Sequence, residues 1–380
     1  KCTFGKVKKF KFNIPYISQS EFFNIKKIFK SDNFINLGFF YKKCVSLIKN
    51  KIKAKHIFLT NSCTSAIEAA LLSLKLDRDD EVIIQSYTFV SIVDILFKLG
   101  IKFKFCDVDK FFTIDLNDLK KKINKNTRVI ILTHYNGNSI NFRTLKNIIK
   151  KKNIIIIEDA AQVYGAKYKN YFLGSIGDFG AFSFHQTKNI HSGSGGALIL
   201  NNQKYYRNLR DVLDRGTNKT DFINNKANKY SWVSRGVSSS ITEMQSVFLL
   251  SQLKDEKKVL NKREELFKLY KKEIRSNDKF FEICNFNKFN KSNYHMFYIL
   301  LKSSNLRPKF IKFMAENKIE VTSHYEPLHL STVIQKTKAV KEKLPNTEKY
   351  AKRIVRLPFY FELKKKDIEY ICNKINIFFK

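Results

Sequence analysis

Four consecutive isoleucines, Ile154 to Ile157, run directly into two carboxylates, Glu158 and Asp159. A β-branched run with no polar face predicts a strand covered on both sides, as in a parallel sheet flanked by helices. Residues 80–84, 102–105, 128–132, 179–184 and 197–200 read as further strands. Apolar-periodic helical runs lie between them, at 66–74, 90–99 and around 144–151. Strands alternating with such helices imply βαβ units, hence an α/β fold with a mostly parallel sheet. Ligands of these sheets gather at the carboxyl ends of the strands, where Asp159 and the segment Ser86-Tyr87-Thr88-Phe89 are expected.

Over residues 253–274 the pattern becomes that of one long amphipathic helix. Leu253, Leu260, Phe267 and Ile274 repeat on one face, and Glu264 is placed to pair with Lys268. A chain of 380 residues is long enough for two cores. The helix, at about 253–275, is expected to join a large domain over 1–252 to a smaller C-terminal α+β domain over 253–380. That smaller domain is predicted to hold a strand at 296–301 and helices near 309–316 and 364–379.

The six cysteines (Cys2, Cys44, Cys63, Cys106, Cys284 and Cys372) are scattered, with no CxxC pair and no His–Cys cluster at ligand spacing. That pattern argues against a metal centre or a disulfide framework and favours a reducing compartment. No apolar stretch approaches the roughly 18 residues that span a bilayer. Lys1 to Lys11 lack the apolar centre of a signal peptide, so a cytoplasmic location with no membrane attachment is expected. The formal net charge of +37 raises the question of nucleic acid. Its lysines are spread along the whole chain, as at 120–122, 150–152 and 364–366, with no basic arm or arginine-rich segment. This favours a solvated basic surface over a specific nucleic-acid site. Steering of an anionic substrate, or weak polyanion binding, are the functional alternatives.

Chemistry is concentrated around Lys188, in Phe182-Ser183-Phe184-His185-Gln186-Thr187-Lys188-Asn189, just before the small-residue stretch Ser192-Gly193-Ser194-Gly195-Gly196. A lysine on a tight turn, a carboxylate ending a buried strand and a nearby hydroxyl fit pyridoxal 5'-phosphate (PLP). That cofactor needs an amine for a Schiff base, a carboxylate for its pyridinium nitrogen and donors for its phosphate. Asp159 reads either as that carboxylate or as the N-cap of the next helix. Thr64 and Ser65 open a helix, where capping and phosphate binding use the same groups. Ser183 is either a further phosphate donor or an ordinary strand serine. Phe89 either stacks on the cofactor ring or belongs to the core. Gln162 either approaches the ring's phenolic oxygen or lies on a helix surface.

These segments resemble the DegT/DnrJ/EryC1/StrS family of sugar-nucleotide aminotransferases, PLP-dependent enzymes of fold type I. The matching stretches run through nearly the whole chain. They include Asn61-Ser62-Cys63-Thr64-Ser65, Glu158-Asp159-Ala160-Ala161-Gln162, Phe182 to Asn189, His324-Tyr325-Glu326-Pro327-Leu328-His329 and Arg356-Leu357-Pro358. Ser86-Tyr87-Thr88-Phe89-Val90-Ser91, Arg215-Gly216-Thr217-Asn218 and His295-Met296-Phe297-Tyr298 are similar to the subgroup that makes dTDP-4-amino-4,6-dideoxy-D-galactose. The resemblance implies a homodimer with shared active sites. Lys188 would form the Schiff base, Asp159 would face the pyridinium nitrogen, Thr64, Ser65 and Ser183 would hold the phosphate, and Phe89 would stack. Ser238, in Gly236-Val237-Ser238-Ser239, matches a region that reaches the neighbouring subunit's phosphate. L-glutamate would donate the amino group to dTDP-4-dehydro-6-deoxy-D-glucose and leave as 2-oxoglutarate. The alternatives are a 3-keto or UDP-linked ketosugar or, in another class, a non-catalytic polyanion-binding protein on this scaffold. Two segments depart from the family's pattern: Gly193-Ser194-Gly195-Gly196, where the second residue is usually Glu, and the loop His134-Tyr135-Asn136-Gly137-Asn138.

Overall fold

The computed structural model describes residues 8–29, 37–274, 279–337 and 342–380. Seven strands form the main sheet: β1 (His56–Thr60), β2 (Glu81–Gln85), β3 (Lys102–Cys106), β4 (Thr127–Thr133), β5 (Ile155–Asp159), β6 (Phe179–Ser183) and β7 (Gly196–Leu200). Their order is β1-β7-β6-β5-β4-β2-β3. Strands β3, β2, β4, β5 and β6 pair in parallel, while β7 runs antiparallel to both β6 and β1. This is the mostly parallel α/β sheet that the sequence implies.

The isoleucine run shows why. Every residue of β5 is buried. Ile155 and Ile157 face one apolar layer, which includes Ala66, Ile67, Ala69 and Ala70 of the helix Cys63–Ser73. Ile156 faces the opposite layer, with Phe142, Leu145 and Phe182. Successive strand residues point to opposite faces, so a strand covered twice must be apolar throughout. Each such side chain contributes about 1.5–3 kcal/mol of burial.

A second sheet of three antiparallel strands, β8 (Phe281–Ile283), β9 (Tyr298–Leu301) and β10 (Ile354–Arg356), lies in the order β8-β9-β10. Leu266, Phe267 and Tyr270, Phe310 and Met314, and Ile368, Ile371 and Ile375 pack with it from three helices, Glu256–Glu273, Leu306–Glu316 and Lys365–Phe378. Phe10 bridges to Ile319, so the first described residues join this C-terminal layer. Among the described residues no helix is long and apolar enough to cross a membrane.

The expected long helix over 253–274 is present as Glu256–Glu273, starting three residues later; Leu253 belongs to the preceding helix, Glu243–Lys254, and the two meet at Asp255. Asp255 leaves helical geometry (ψ 1°), and its carboxylate accepts the Tyr16 hydroxyl at 2.6 Å. The buried stripe of the second helix runs through Val259, Arg263, Leu266, Phe267 and Tyr270, with Leu260 only half-buried. Glu264 does pair with Lys268, at 2.8 Å.

Glu158, the last residue but one of β5, is fully buried and holds the loop before β6. Its carboxylate accepts the backbone N–H groups of Gly174 (2.8 Å), Ile176 (2.6 Å) and Gly177 (2.7 Å) and lies 2.8 Å from His134 Nε2. Replacing it with alanine leaves three backbone donors without an acceptor. Glu158→Ala is therefore expected to cost on the order of 3–5 kcal/mol in urea unfolding. A loss below about 1 kcal/mol contradicts the anchoring role.

Candidate active site

The carboxyl ends of β4, β5 and β6 meet at a cavity of about 420 Å³. Thr133, Asp159 and Ser183, the last residues of those strands, line it together with Thr64, Phe89, Gln162, His324, Tyr325, Arg356 and Lys188. Lys188 follows β6 in a loop that closes on itself. The N–H of Phe184 donates to Gly195 O, Ser192 N–H to Phe184 O, Gln186 N–H to Gly193 O and Lys188 N–H to His185 O, each at 2.8 Å. At Gly196, where the loop enters β7, a Cβ would lie 2.4 Å from the Ser62 carbonyl carbon. Glycine there lets the lysine loop pack on the backbone that opens the helix Cys63–Ser73.

Lys188 is half-buried at the cavity wall, and burial lowers its ammonium pKa from the usual 10.5, against the pull of Asp159. The neutral amine thus persists to lower pH than on a surface lysine. The rate at which the protein gains colour with PLP should reach half its maximum below pH 10.5. Because Asp159 favours the charged amine, Asp159→Asn should move that midpoint lower still. A midpoint at or above the ordinary lysine value contradicts this.

Asp159 is only 4% exposed, and burial pushes its carboxyl pKa up. The Ala161 N–H (3.1 Å to Oδ1), the charge of Lys188 and the Thr133 hydroxyl (3.1 Å to Oδ2) oppose that rise. Thr133 Oγ1 in turn lies 2.9 Å from Thr88 Oγ1. A threonine has one hydroxyl proton, and Thr133 gives it to the carboxylate, so Thr88 must donate to Thr133. This chain orients Asp159 and favours its ionised form. Thr133→Val keeps the shape and removes one bond to a charged group, so kcat should fall roughly tenfold. A kcat within twofold of the parent's would show that Asp159 needs no such support.

The hydroxyl of Ser62 caps the helix Cys63–Ser73 by accepting from Ser65 N–H at 3.1 Å. Its N-terminus points an anion-favouring end into the cavity wall at Thr64. Ser65 does not line the cavity; its hydroxyl donates to Asn61 Oδ1 at 2.6 Å. Ser183 lines the wall, its hydroxyl oxygen 3.4 Å from the His185 N–H. Phe89 is 53% exposed at the rim. Gln162 is held at both ends, accepting from Asn136 N–H (2.9 Å) and donating to the Tyr325 hydroxyl (3.1 Å). Ser238 is exposed and does not line this cavity.

Several lining residues carried no assigned role in the sequence reading. Cys63 donates to Ala181 O at 3.4 Å, and burial pushes its thiol pKa well up, which makes it inert. His324, Tyr325 and Arg356 come from the C-terminal part of the chain. The Tyr87 and Tyr135 hydroxyls both donate to the His324 carbonyl oxygen, and burial pushes the His324 pKa down to about 4. The His134–Asn138 loop is a joint rather than a substrate wall. Asn136 Oδ1 accepts Met296 N–H at 3.0 Å and Asn138 Oδ1 accepts Asn287 N–H at 2.9 Å, and of the loop only His134 lines the cavity. Ser194, in place of the family's usual Glu, donates to Asn61 O at 3.0 Å and so ties the lysine loop to the end of β1.

A seven-stranded sheet with one antiparallel strand, and a lysine and a buried carboxylate on one cavity at its carboxyl end, define a protein of PLP fold type I. The model of the DegT/DnrJ/EryC1/StrS aminotransferase family matches residues 15–376, and the chain belongs to that family. Its relatives include an uncharacterised protein of Methanocaldococcus jannaschii, 29% identical, with 95% of each chain covered. The GDP-perosamine synthase of Escherichia coli O157:H7 is 26% identical, covering 83% of this chain and 84% of that one. The UDP-4-amino-4,6-dideoxy-N-acetyl-beta-L-altrosamine transaminase of Campylobacter jejuni is also 26% identical, covering 84% of both. In fold, the chain is similar to the PLP form of the putative sugar aminotransferase Spr1654 from Streptococcus pneumoniae (TM-score 0.88, 21% identity, 98% of each chain).

The cavity's donor set fits PLP: an amine of lowered pKa, a buried carboxylate, a helix N-terminus and an aromatic rim.

Proposed function

We propose that this protein is a PLP-dependent transaminase that moves the amino group of L-glutamate to a ketosugar nucleotide, acting as a homodimer in the cytoplasm. The observation that carries this reading is the placement of Lys188 and Asp159 on one cavity, each acting on the other's charge. When bound, PLP supplies a conjugated ring that takes up electron density from the carbon bearing the amino group. Lys188 would hold the cofactor and then, as a free amine, carry the proton between the substrate carbon and the cofactor's aldehyde-derived carbon. Asp159, whose charged form Ala161, Lys188 and Thr133 favour against the burial that raises its pKa, would hold a proton at the ring nitrogen. Thr64 and Ser183 would hold the phosphate, Phe89 would cover the ring face, and Gln162 with Tyr325 would approach the ring's oxygen. Ser65 would act through the helix start, and Ser238 would serve the second subunit's site.

The sugar is open between two readings. The motifs resemble those for dTDP-4-dehydro-6-deoxy-D-glucose, giving dTDP-4-amino-4,6-dideoxy-D-galactose, the product of a dTDP-4-amino-4,6-dideoxygalactose transaminase. The named relatives above carry GDP and UDP instead, and they favour another ketosugar nucleotide, with a UDP-linked one foremost. Incubating the purified protein with L-glutamate, PLP and dTDP-, UDP- and GDP-linked ketosugars separates these readings. Mass-spectrometric detection of an amino sugar on one carrier assigns it. Absence of any amino sugar, with 2-oxoglutarate still released from L-glutamate, would remove the sugar-nucleotide reading and keep the transaminase.

A further inference from the structure

The segment Asn293 to Met296, which leads into β9, is fastened on several sides where it meets the cavity. The Asn293 amide donates to the carbonyl oxygens of Gln162 (2.9 Å) and Tyr164 (3.1 Å), in the stretch after β5. The His295 carbonyl oxygen accepts from the Arg263 guanidinium, and the Met296 N–H donates to Asn136 Oδ1 at 3.0 Å. Between these bonds His295 is buried, 5% exposed, on the wall of the same cavity as Lys188. The residue after the lysine joins the two. Asn189 Nδ2 donates to Asn293 O at 2.8 Å, and Asn189 Oδ1 lies 3.1 Å from His295 Nδ1.

These contacts fix where the imidazole carries its hydrogen. A carbonyl oxygen only accepts, so the nitrogen of the Asn189 amide faces Asn293 O and its oxygen faces His295. That oxygen also only accepts. His295 therefore carries its hydrogen on Nδ1 and keeps a bare lone pair on Nε2. Burial, then the charges of Lys188, Arg356 and Arg263, hold its pKa well below the usual value, so the ring stays neutral. Among the described residues neither His295 Nε2 nor Lys188 Nζ forms a hydrogen bond within the chain. One wall thus presents an acceptor and an amine, both without a protein partner.

A neutral acceptor does for the amine what a carboxylate cannot. Asp159 favours the charged form of Lys188, and an ammonium has no lone pair with which to take a proton from carbon. An imidazole nitrogen that accepts one N–H of the neutral amine fixes its direction and leaves the lone pair free. The other tautomer would aim an N–H at that lone pair and block it. Asn189 excludes that tautomer, and it does so from the position next to the lysine.

We infer that His295, set in one tautomer by Asn189, is a positioning residue that receives the Lys188 amine once the cofactor has left it and aims its lone pair at the substrate carbon. The amine takes the carbon's proton as ammonium and returns it to the cofactor's aldehyde-derived carbon, while His295 gains and loses none. This rests on the transaminase reading and adds to it a residue that acts only through the lysine.

Nitrogen-15 NMR of the histidine-labelled, cofactor-free full-length protein reads each ring nitrogen as protonated or bare. His295→Gln identifies the His295 signals by their loss. The expected result is a protonated Nδ1 and a bare Nε2 through neutral pH, with that fixed state lost in Asn189→Leu. A protonated Nε2 in the parent overturns the inference. The half-reaction of the PLP-loaded protein is then followed by stopped flow with L-glutamate carrying hydrogen or deuterium on the carbon that bears the amino group. His295→Phe should slow it about tenfold to a hundredfold, with a deuterium isotope effect at least as large as the parent's. His295→Gln, whose amide oxygen can stand in for Nε2, should recover part of the rate. Circular dichroism and the visible band check that both variants fold and load PLP. A His295→Phe rate within about twofold of the parent's overturns the inference. So does a slowed reaction that has lost its isotope effect, which places the damage in a step other than proton transfer. The transaminase reading fails separately, if no L-amino acid changes the spectrum of the loaded parent.

Discussion

Replacing Lys188 with alanine should abolish turnover while leaving a cavity that still holds PLP noncovalently. The other groups suited to the cofactor, at Asp159, Thr64, Ser183 and Phe89, come from separate elements and do not depend on the lysine side chain for their position. What disappears is the amine that holds the cofactor and moves the proton. General acid–base catalysis alone is worth about 10²–10⁴-fold, and loss of the covalent link adds to it. kcat should therefore fall by at least roughly 10³-fold, with the cofactor removable by gel filtration. A variant that retains both its colour and its turnover would mean that another amine does this work.

Asp159→Asn is expected to have the second largest effect. The amide keeps the shape of the carboxylate and can accept from either Thr133 or Ala161, so folding and cofactor retention should persist. It carries no charge to hold a proton at the ring nitrogen. Losing one preorganised charge in a buried site costs on the order of 10²–10³-fold in kcat. The first half-reaction with L-glutamate, followed in a stopped-flow spectrometer, isolates the step concerned. A near-normal rate there would return Asp159 to a purely structural role.

The parts of the fold that could be read from the sequence are those where burial leaves no choice of residue. Strands β2 and β4 to β7 are largely apolar runs because both of their faces are covered, and Ile155, Ile156 and Ile157 alternate between two cores; β3, at the sheet edge, alternates instead and leaves Lys102 exposed. β1 is less obvious, since His56 and Phe58 are only half-buried beside Tyr206. The long helix was read as starting at 253 because apolar spacing continues across Asp255, where the preceding helix ends. What ends the helix is a tertiary bond to Tyr16, 239 positions away. In the site, Lys188 and Asp159 stood out through local context, a turn after one strand and the end of another. Arg356 lay in the matched stretch Arg356-Leu357-Pro358, but that stretch attached no role to it. Its contacts with Phe12 and His324 are ones that only the folded chain brings together. The same holds for Thr133, which would pass for an ordinary strand residue until its hydroxyl is found on Asp159.

The visible absorption spectrum of the purified protein with PLP, before and after L-glutamate, tests the central claim most directly. The account predicts a visible band from the cofactor joined to Lys188 that bleaches when the amino group is transferred, with 2-oxoglutarate released in equal amount. A protein that stays colourless with PLP, or a band that no L-amino acid bleaches, would contradict it.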